Sequence, residues 1–317
     1  MAVMRARRST LAVPGSNPRM LDKAQSLKTD ALFLDLEDSV SPLVKVEARA
    51  NVIAALLEGG YGDRLISVRI NALDSQWSAD DLTQVIEQAG DKLHCILVPK
   101  VQTAAQLQAV DARIAELESA NGIPVGSIGL EAQIEDALGL VNVEQIAAAS
   151  ERLETLVFGP ADFMASINMK SLVVGQQPSG YTEGDAYHYP LMRLLVAGRA
   201  FGKQVIDGPY LGIKDLEGLK LASMRSAALG FDGKWVLHPD QVDIVNDIFS
   251  PAQADYDHAE LILDAYEYHT SSSGGARGAV MLGEEMIDEA SRKMALVISS
   301  KGRAAGLQRT KTFTPES

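Results

Sequence analysis

Cysteine is nearly absent. The 317-residue chain has one, Cys95, so no disulfide can form within it. That excludes a small cross-linked scaffold and fits a reducing compartment. Positive charge is scarce too: 29 Lys and Arg stand against 42 Asp and Glu, a formal net charge of −13 with a pI near 4.9. Neither nucleic acid nor an anionic membrane surface is therefore an expected partner. No uninterrupted apolar run approaches the roughly 20 residues of a membrane helix. The basic opening MAVMRARRST is followed only by LAVP before Gly15, far short of a signal core, so a cytoplasmic protein is expected. No Ser-His-Asp arrangement and no Walker-type phosphate loop is visible. Cys95 lies in the apolar run LHCILVP, which predicts a buried, inert thiol.

What is present is a large apolar reserve in a regular rhythm. At 46% hydrophobic, the chain can bury one large α/β domain and carry an extension. Eight β-rich runs recur near residues 9–15, 31–38, 65–71, 94–101, 127–136, 153–163, 203–210 and 233–239. Helical spacing fills the intervals, as over 104–119 and 215–229. Eight strands in strict βα alternation predict a (β/α)8 TIM barrel, typically ~250 residues. A doubly wound sheet would want a Gly-rich turn after the first strand, and VPGSNP is not one. The barrel is expected over 1–249 and a helical, lid-like extension over 250–317. Ser250 is expected to cap the extension's first helix with Pro251 at its first position. The Gly/Ser-rich run TSSSGGARG, 270–278, reads as a hinge, and the residues beyond it as a short strand, a turn and a closing helix.

In a barrel, side chains at the C-terminal strand ends build the active site. Here those ends carry Glu37 and Asp38, Arg69 and Asn71, Lys100, Glu135 and Asp136, Asp162, Asp207 and His238. A carboxylate-rich mouth with little His and no Cys suits a hard cation, Mg2+ before Mn2+. Structural roles compete at each position. Asp38 could cap a helix, Asp35 could be a satisfied core acid, and only one of Glu135 and Asp136 need be a ligand. Arg69 could simply balance the acids, and His238 fits best as a tie on its strand end. Tyr181, Tyr187, His188 and Tyr189 are expected to pack rather than line the mouth. Asp288, before EASRKMALV, fits a helix N-cap. The residues alone point to a metal-dependent barrel enzyme acting on a small carboxylate.

The motifs LAVPGSNPRMLDKA, LDLEDSV, VRIN, VPKV, IEDALGLVNVEQIAA, FGPADF, IDGPY and GFDGKWVLHPDQ run in order along nearly the whole chain. Together they resemble the malyl-CoA lyases and the citrate lyase β-subunit-like proteins. The resemblance implies Mg2+, with Mn2+ able to substitute, held by Glu135 and Asp162, and water around it held by Glu37 and Asp38. It implies Arg69 beside the thioester oxygen, Asp288 as a catalytic acid–base group acting in a neighbouring subunit, and a homotrimer or a hexamer of trimers. CoA and substrate contacts are implied at Ala12, Lys23, Ala161, Ile206 and Asp207. Where some relatives have an Arg, this chain has Asn17. The implied reaction is reversible cleavage of malyl-CoA, β-methylmalyl-CoA or citramalyl-CoA to an α-keto acid and acetyl- or propionyl-CoA. A citrate lyase β subunit, a CoA-independent keto-acid aldolase and a non-catalytic keto-acid-binding barrel are the alternatives. The developed tail around GAVMLGEEMID is expected to argue against the citrate lyase subunit.

Overall fold

The structure, a computed structural model, describes residues 5–315; the first four residues of the basic opening run lie outside them. Eight parallel strands close into a barrel in chain order. They are β1 (Ser9–Pro14), β2 (Ala31–Asp35), β3 (Leu65–Arg69), β4 (Cys95–Val98), β5 (Gly129–Ile134), β6 (Leu153–Phe158), β7 (Gln204–Asp207) and β8 (Gly233–Val236). Pairing of β1 with β8 completes the ring. The expected (β/α)8 barrel is what the chain forms.

The connecting helices are α1 (Pro18–Ala24), α2 (Lys45–Glu58), α3 (Ser78–Ala89), α4 (Ala104–Ala120), α5 (Ala137–Val141) and α6 (Val143–Ala147). Then follow α7 (Pro160–Ser166), α8 (His188–Ala200), α9 (Leu216–Leu229) and α10 (Val242–Phe249). Local chemistry sets their starts. Asn17, Asp136 and Asp215 each accept a first-turn N–H, and Thr103 with Gln106 forms a capping box at α4.

Because strand side chains alternate, each strand serves two cores. Leu32, Leu34, Val68, Ile96, Val98 and Val236 pack toward the helices. Phe33, Leu97, Val157, Ile206 and Trp235 fill the barrel interior. The interior also carries buried polar groups, and their distribution sets the site apart.

The chain separates into two compact units, one ending at Phe249 and the other starting at Ser250. In the second, α11 (Gln253–Thr270) starts two residues later than expected, with Ala252 rather than Ser250 at its N-cap. Ala252 is extended (φ −63°, ψ 150°) and caps through no side chain. The 270–278 run folds into a hydrogen-bonded turn. Arg277 N–H donates to His269 O at 2.8 Å and Ala276 N–H to Ser271 O at 2.9 Å. A Cβ on Gly274 would lie 2.1 Å from Tyr268 O, so close approach accounts for that glycine. A two-stranded hairpin, β9 (Val280–Leu282) and β10 (Glu285–Ile287), precedes α12 (Glu289–Ala304). A small core of Ala259, Ile262, Ala265, Val280, Ile287 and Ala295 holds this unit together. Among the described residues no helix is long and apolar enough to cross a membrane.

Candidate active site

At the C-terminal ends of the strands a cavity of about 270 Å3 opens, lined among others by Ala12, Arg69, Glu135, Ala161, Asp162 and Trp235. A larger groove of about 520 Å3 lies between α3 and α4, but it gathers no buried charge, so the chemistry belongs to the smaller one. Arg69, the last residue of β3, points inward beneath the opening and is 3% exposed. Its Nε and Nη2 donate to the two oxygens of Asp35 at 2.6 and 2.7 Å. The guanidinium lies over the rings of Phe33 (5.3 Å) and Trp235 (5.0 Å). Burial works against a charged Arg69, but Asp35 overrides it and keeps the guanidinium charged.

Asp35 is the satisfied core acid the sequence suggested. It also accepts from Glu37 N–H, Ser39 N–H and Ser39 Oγ. Burial alone would raise its pKa, and Arg69 holds it below the usual range.

Glu135 is in the opposite condition. It is 3% exposed, and burial, followed by the negative charges of Glu37 and Asp162, pushes its pKa up to about 8. It accepts from Lys100 N–H at 2.7 Å and from Gln133 Nε2 at 2.5 Å. Gly159 makes room for it, since a Cβ there would lie 2.4 Å from Glu135 Cβ. Asp136 faces away and caps α5, so only one of the adjacent acids reaches the mouth. Glu37 is buried, its pKa raised by burial, and its Oε2 accepts no hydrogen bond. That oxygen lies 3.2 Å from Arg69 Nη1 as an ion-pair contact only. Asp38 is exposed and caps nothing; Ser41 takes the cap that follows. Asp162 stands in the first turn of α7, whose leading N–H groups have no carbonyl partner inside the helix.

These features fit a hard divalent cation. A buried carboxylate driven to hold its proton and a half-exposed Asp162 line one opening, near a Glu37 oxygen that accepts no hydrogen bond. Among the described residues no three His, Cys, Asp or Glu side chains are set to enclose an ion by themselves. Two carboxylates completed by water and substrate oxygens is the arrangement Mg2+ commonly accepts.

The structure does not gather every expected residue. Asp207 is excluded from the mouth: Ile206 points into the interior, so its neighbour points outward and is buried against Lys234 Nζ at 2.6 Å. The period of two accounts for the miss. Ala12 and Ala161 line the opening, whereas Lys23 projects from α1 into solvent. Asn17 is occupied in capping α1. His238 Nδ1 accepts from Asp240 N–H at 3.2 Å, a tie at its strand end. Tyr187 is buried with its hydroxyl 3.2 Å from Met164 Sδ, while Tyr181 and Tyr189 are exposed. Asp288 belongs to the second unit and caps α12, with the Ala290 and Ser291 N–H bonds both on Oδ1.

Sequence reasoning missed Gln133, which lies between Arg69 Nη1 (3.4 Å) and Glu135 (2.5 Å). The signal was LEAQIE, where polar residues at every second position mark one inward column of β5: Glu131, Gln133 and Glu135.

Comparison with known proteins converges on this barrel. The model of the HpcH/HpaI aldolase/citrate lyase family matches residues 8–239. The L-malyl-CoA/β-methylmalyl-CoA lyase of Cereibacter sphaeroides is 38% identical over 302 residues, 93% of this chain and 94% of the relative. The citrate lyase subunit beta of Escherichia coli is 33% identical over 304 residues, 96% of each. The CitE protein of Mycobacterium tuberculosis, solved with magnesium, acetoacetate and coenzyme A, superposes with a TM-score of 0.70 at 26% identity, covering 94% of this chain and 98% of that one. Because the citrate lyase subunit aligns over nearly its whole length, a developed tail does not distinguish the two activities, contrary to expectation.

Proposed function

Since the chain belongs to the HpcH/HpaI aldolase/citrate lyase family, we propose that it is a Mg2+-dependent carbon–carbon lyase. Its substrate is a 3-hydroxyacyl-CoA such as malyl-CoA, β-methylmalyl-CoA or citramalyl-CoA, cleaved reversibly to glyoxylate or pyruvate and acetyl- or propionyl-CoA. The observation that supports this most is the unbalanced mouth: Glu37, Asp38, Glu135 and Asp162 around one opening, over a single fixed guanidinium.

Glu135 and Asp162 would hold the cation, with Glu37 and Asp38 orienting water beside it. When bound, Mg2+ supplies Lewis acidity at the substrate hydroxyl and orients the acid that chelates it. Cleavage breaks the bond between the hydroxyl-bearing carbon and the carbon next to the thioester. The hydroxyl loses its proton and becomes the keto group, and the bonding pair passes to the thioester enolate. Arg69 would face that developing charge. Asp35 and the rings of Phe33 and Trp235 already fix it, so little reorganisation is needed as charge develops.

The enolate carbon then takes a proton. Asp288 from the second unit of a neighbouring copy would deliver it, and remove it in the reverse direction. Met281, Met286, Met294 and Val297 leave that unit with exposed apolar surface, which supports assembly of copies, as a trimer or a hexamer of trimers.

The test is a panel of hydroxyacyl-CoA thioesters, alongside citryl carrier protein, with and without EDTA. Mg2+-dependent keto-acid release from a free CoA thioester is expected, and is expected to disappear in Glu135→Ala and Asp162→Ala. Mixed oligomers of Glu135→Ala and Asp288→Ala should regain activity that neither has alone. Release only from the carrier-bound substrate would shift the reading to a citrate lyase subunit, and mixed oligomers that stay inactive would refute action across subunits.

A further inference from the structure

Lys100 is a cation without an assigned role in the midst of the acids. It follows Pro99 at the end of β4 with φ +51°, a left-handed conformation that a lysine rarely adopts. Strained backbone of this kind persists where the surroundings over-determine it. Here the backbone N–H donates to Glu135 Oε1 at 2.7 Å, while the ammonium reaches back across the opening. Nζ lies 2.5 Å from Glu37 Oε1, 3.5 Å from Asp38 Oδ1 and 3.5 Å from Asp162 Oδ2. One residue thus touches both proposed metal ligands and both acids beside them. Its side chain is 39% exposed, so the ammonium has solvent to withdraw into.

We propose that Lys100 is a tethered counter-cation. Its ammonium neutralises the metal-free mouth and competes with the divalent cation for Asp162, withdrawing toward Glu37 and solvent when the cation binds. This rests on the reading that Glu135 and Asp162 hold Mg2+. A magnesium ion stands about 2.1 Å from a ligating carboxylate oxygen, and Nζ is already 3.5 Å from an oxygen of Asp162. Two cations so close repel strongly, so one must yield. The arrangement also prevents the acids from repelling one another before metal arrives, and it limits the negative charge that an anionic substrate meets.

A merely structural lysine predicts the opposite sign. If Lys100 only propped the ligands, its loss would loosen the site and weaken metal binding. Calorimetric titration of the full-length protein with Mg2+, after EDTA treatment, separates the two. Lys100→Met and Lys100→Gly both keep the backbone N–H that meets Glu135, and the glycine also relieves the positive φ. Both should bind Mg2+ about tenfold more tightly or better than wild type, while Lys100→Arg, which keeps the charge, stays near wild type. Without metal, Lys100→Met should melt below wild type, and saturating Mg2+ should close the gap. Circular dichroism checks that the variants are folded. If wild type binds Mg2+ and neither neutral variant binds it more tightly, the counter-cation role is overturned while the metal site stands. If wild type binds no Mg2+, the parent reading fails and takes this one with it.

Discussion

Two buried arginines sit at opposite ends of the barrel. At the floor, Arg7 precedes β1 and is met by Glu131 (3.1 Å), Glu154 (2.7 Å) and Gln204 (2.5 Å). Arg5 adds a second contact to Glu154, and Ser67 donates to the other oxygen of Glu131. Acids and cations are equal in number there. At the mouth, the five acids Asp35, Glu37, Asp38, Glu135 and Asp162 face Arg69 and Lys100, with buried Lys45 behind Asp35, Glu37 and Asp38, so acids outnumber cations among the described residues. The same chemistry is balanced at one end and unbalanced at the other. A buried charge is tolerated when paired and costly when it is not, so the imbalance at the mouth marks where something from outside is meant to bind. The floor is architecture.

The comparison can be broken first at the floor. Replacing Arg7 by Met leaves Glu131 and Glu154 without their main partner, which should cost about 3–5 kcal/mol of stability with Mg2+ affinity unchanged in what remains folded. Chemical denaturation and calorimetry read the two separately. Loss of Mg2+ binding in folded Arg7→Met protein would show that the ends are not independent.

At the mouth, Arg69→Lys keeps the charge but loses the planar fork that grips Asp35. Turnover should fall by roughly 100-fold or more, with Mg2+ binding little altered. Near-normal kcat would mean that Arg69 does at the mouth only what Arg7 does at the floor.

The smallest effect is a pH dependence. Glu135 has its native pKa raised from an ordinary 4.5 to about 8. A raised native pKa contributes stability that is fully present below 4.5 and lost as pH rises through about 8. Glutamine does not titrate, so metal-free Glu135→Gln should match wild type near pH 4.5 and exceed it increasingly as the pH rises toward 8, with the difference levelling off above that. Thermal melts in EDTA across that range check it. A constant difference would mean that Glu135 is as comfortably ionised as the acids of the floor.

The basic opening run illustrates what was hard to read. From sequence, Arg5, Arg7 and Arg8 were only a positive patch too weakly followed to be a signal. Folded, Arg8 clasps Asp30 and Arg7 plugs the barrel against Glu131 and Glu154, and nothing local announces Arg7's acidic partners more than 120 positions away. Asp207 was misplaced because the position of a strand's end is legible while its inward face must be counted from a known neighbour. Asp288 is legible as a cap because capping is settled within four residues.

By itself, then, the sequence determined the barrel, since eight apolar runs alternating with helical spacing leave few other ways to bury that surface. It also determined the family. Only the tertiary structure decided that Arg69 is held by Asp35 between two rings, that Asp207 turns away, that Gln133 links the guanidinium to Glu135, and that Lys100 reaches across four strand ends into the acids. Periodicity and capping act over a few residues and are written along the chain. Charge balance is a property of a volume, and that volume exists only once the barrel has closed.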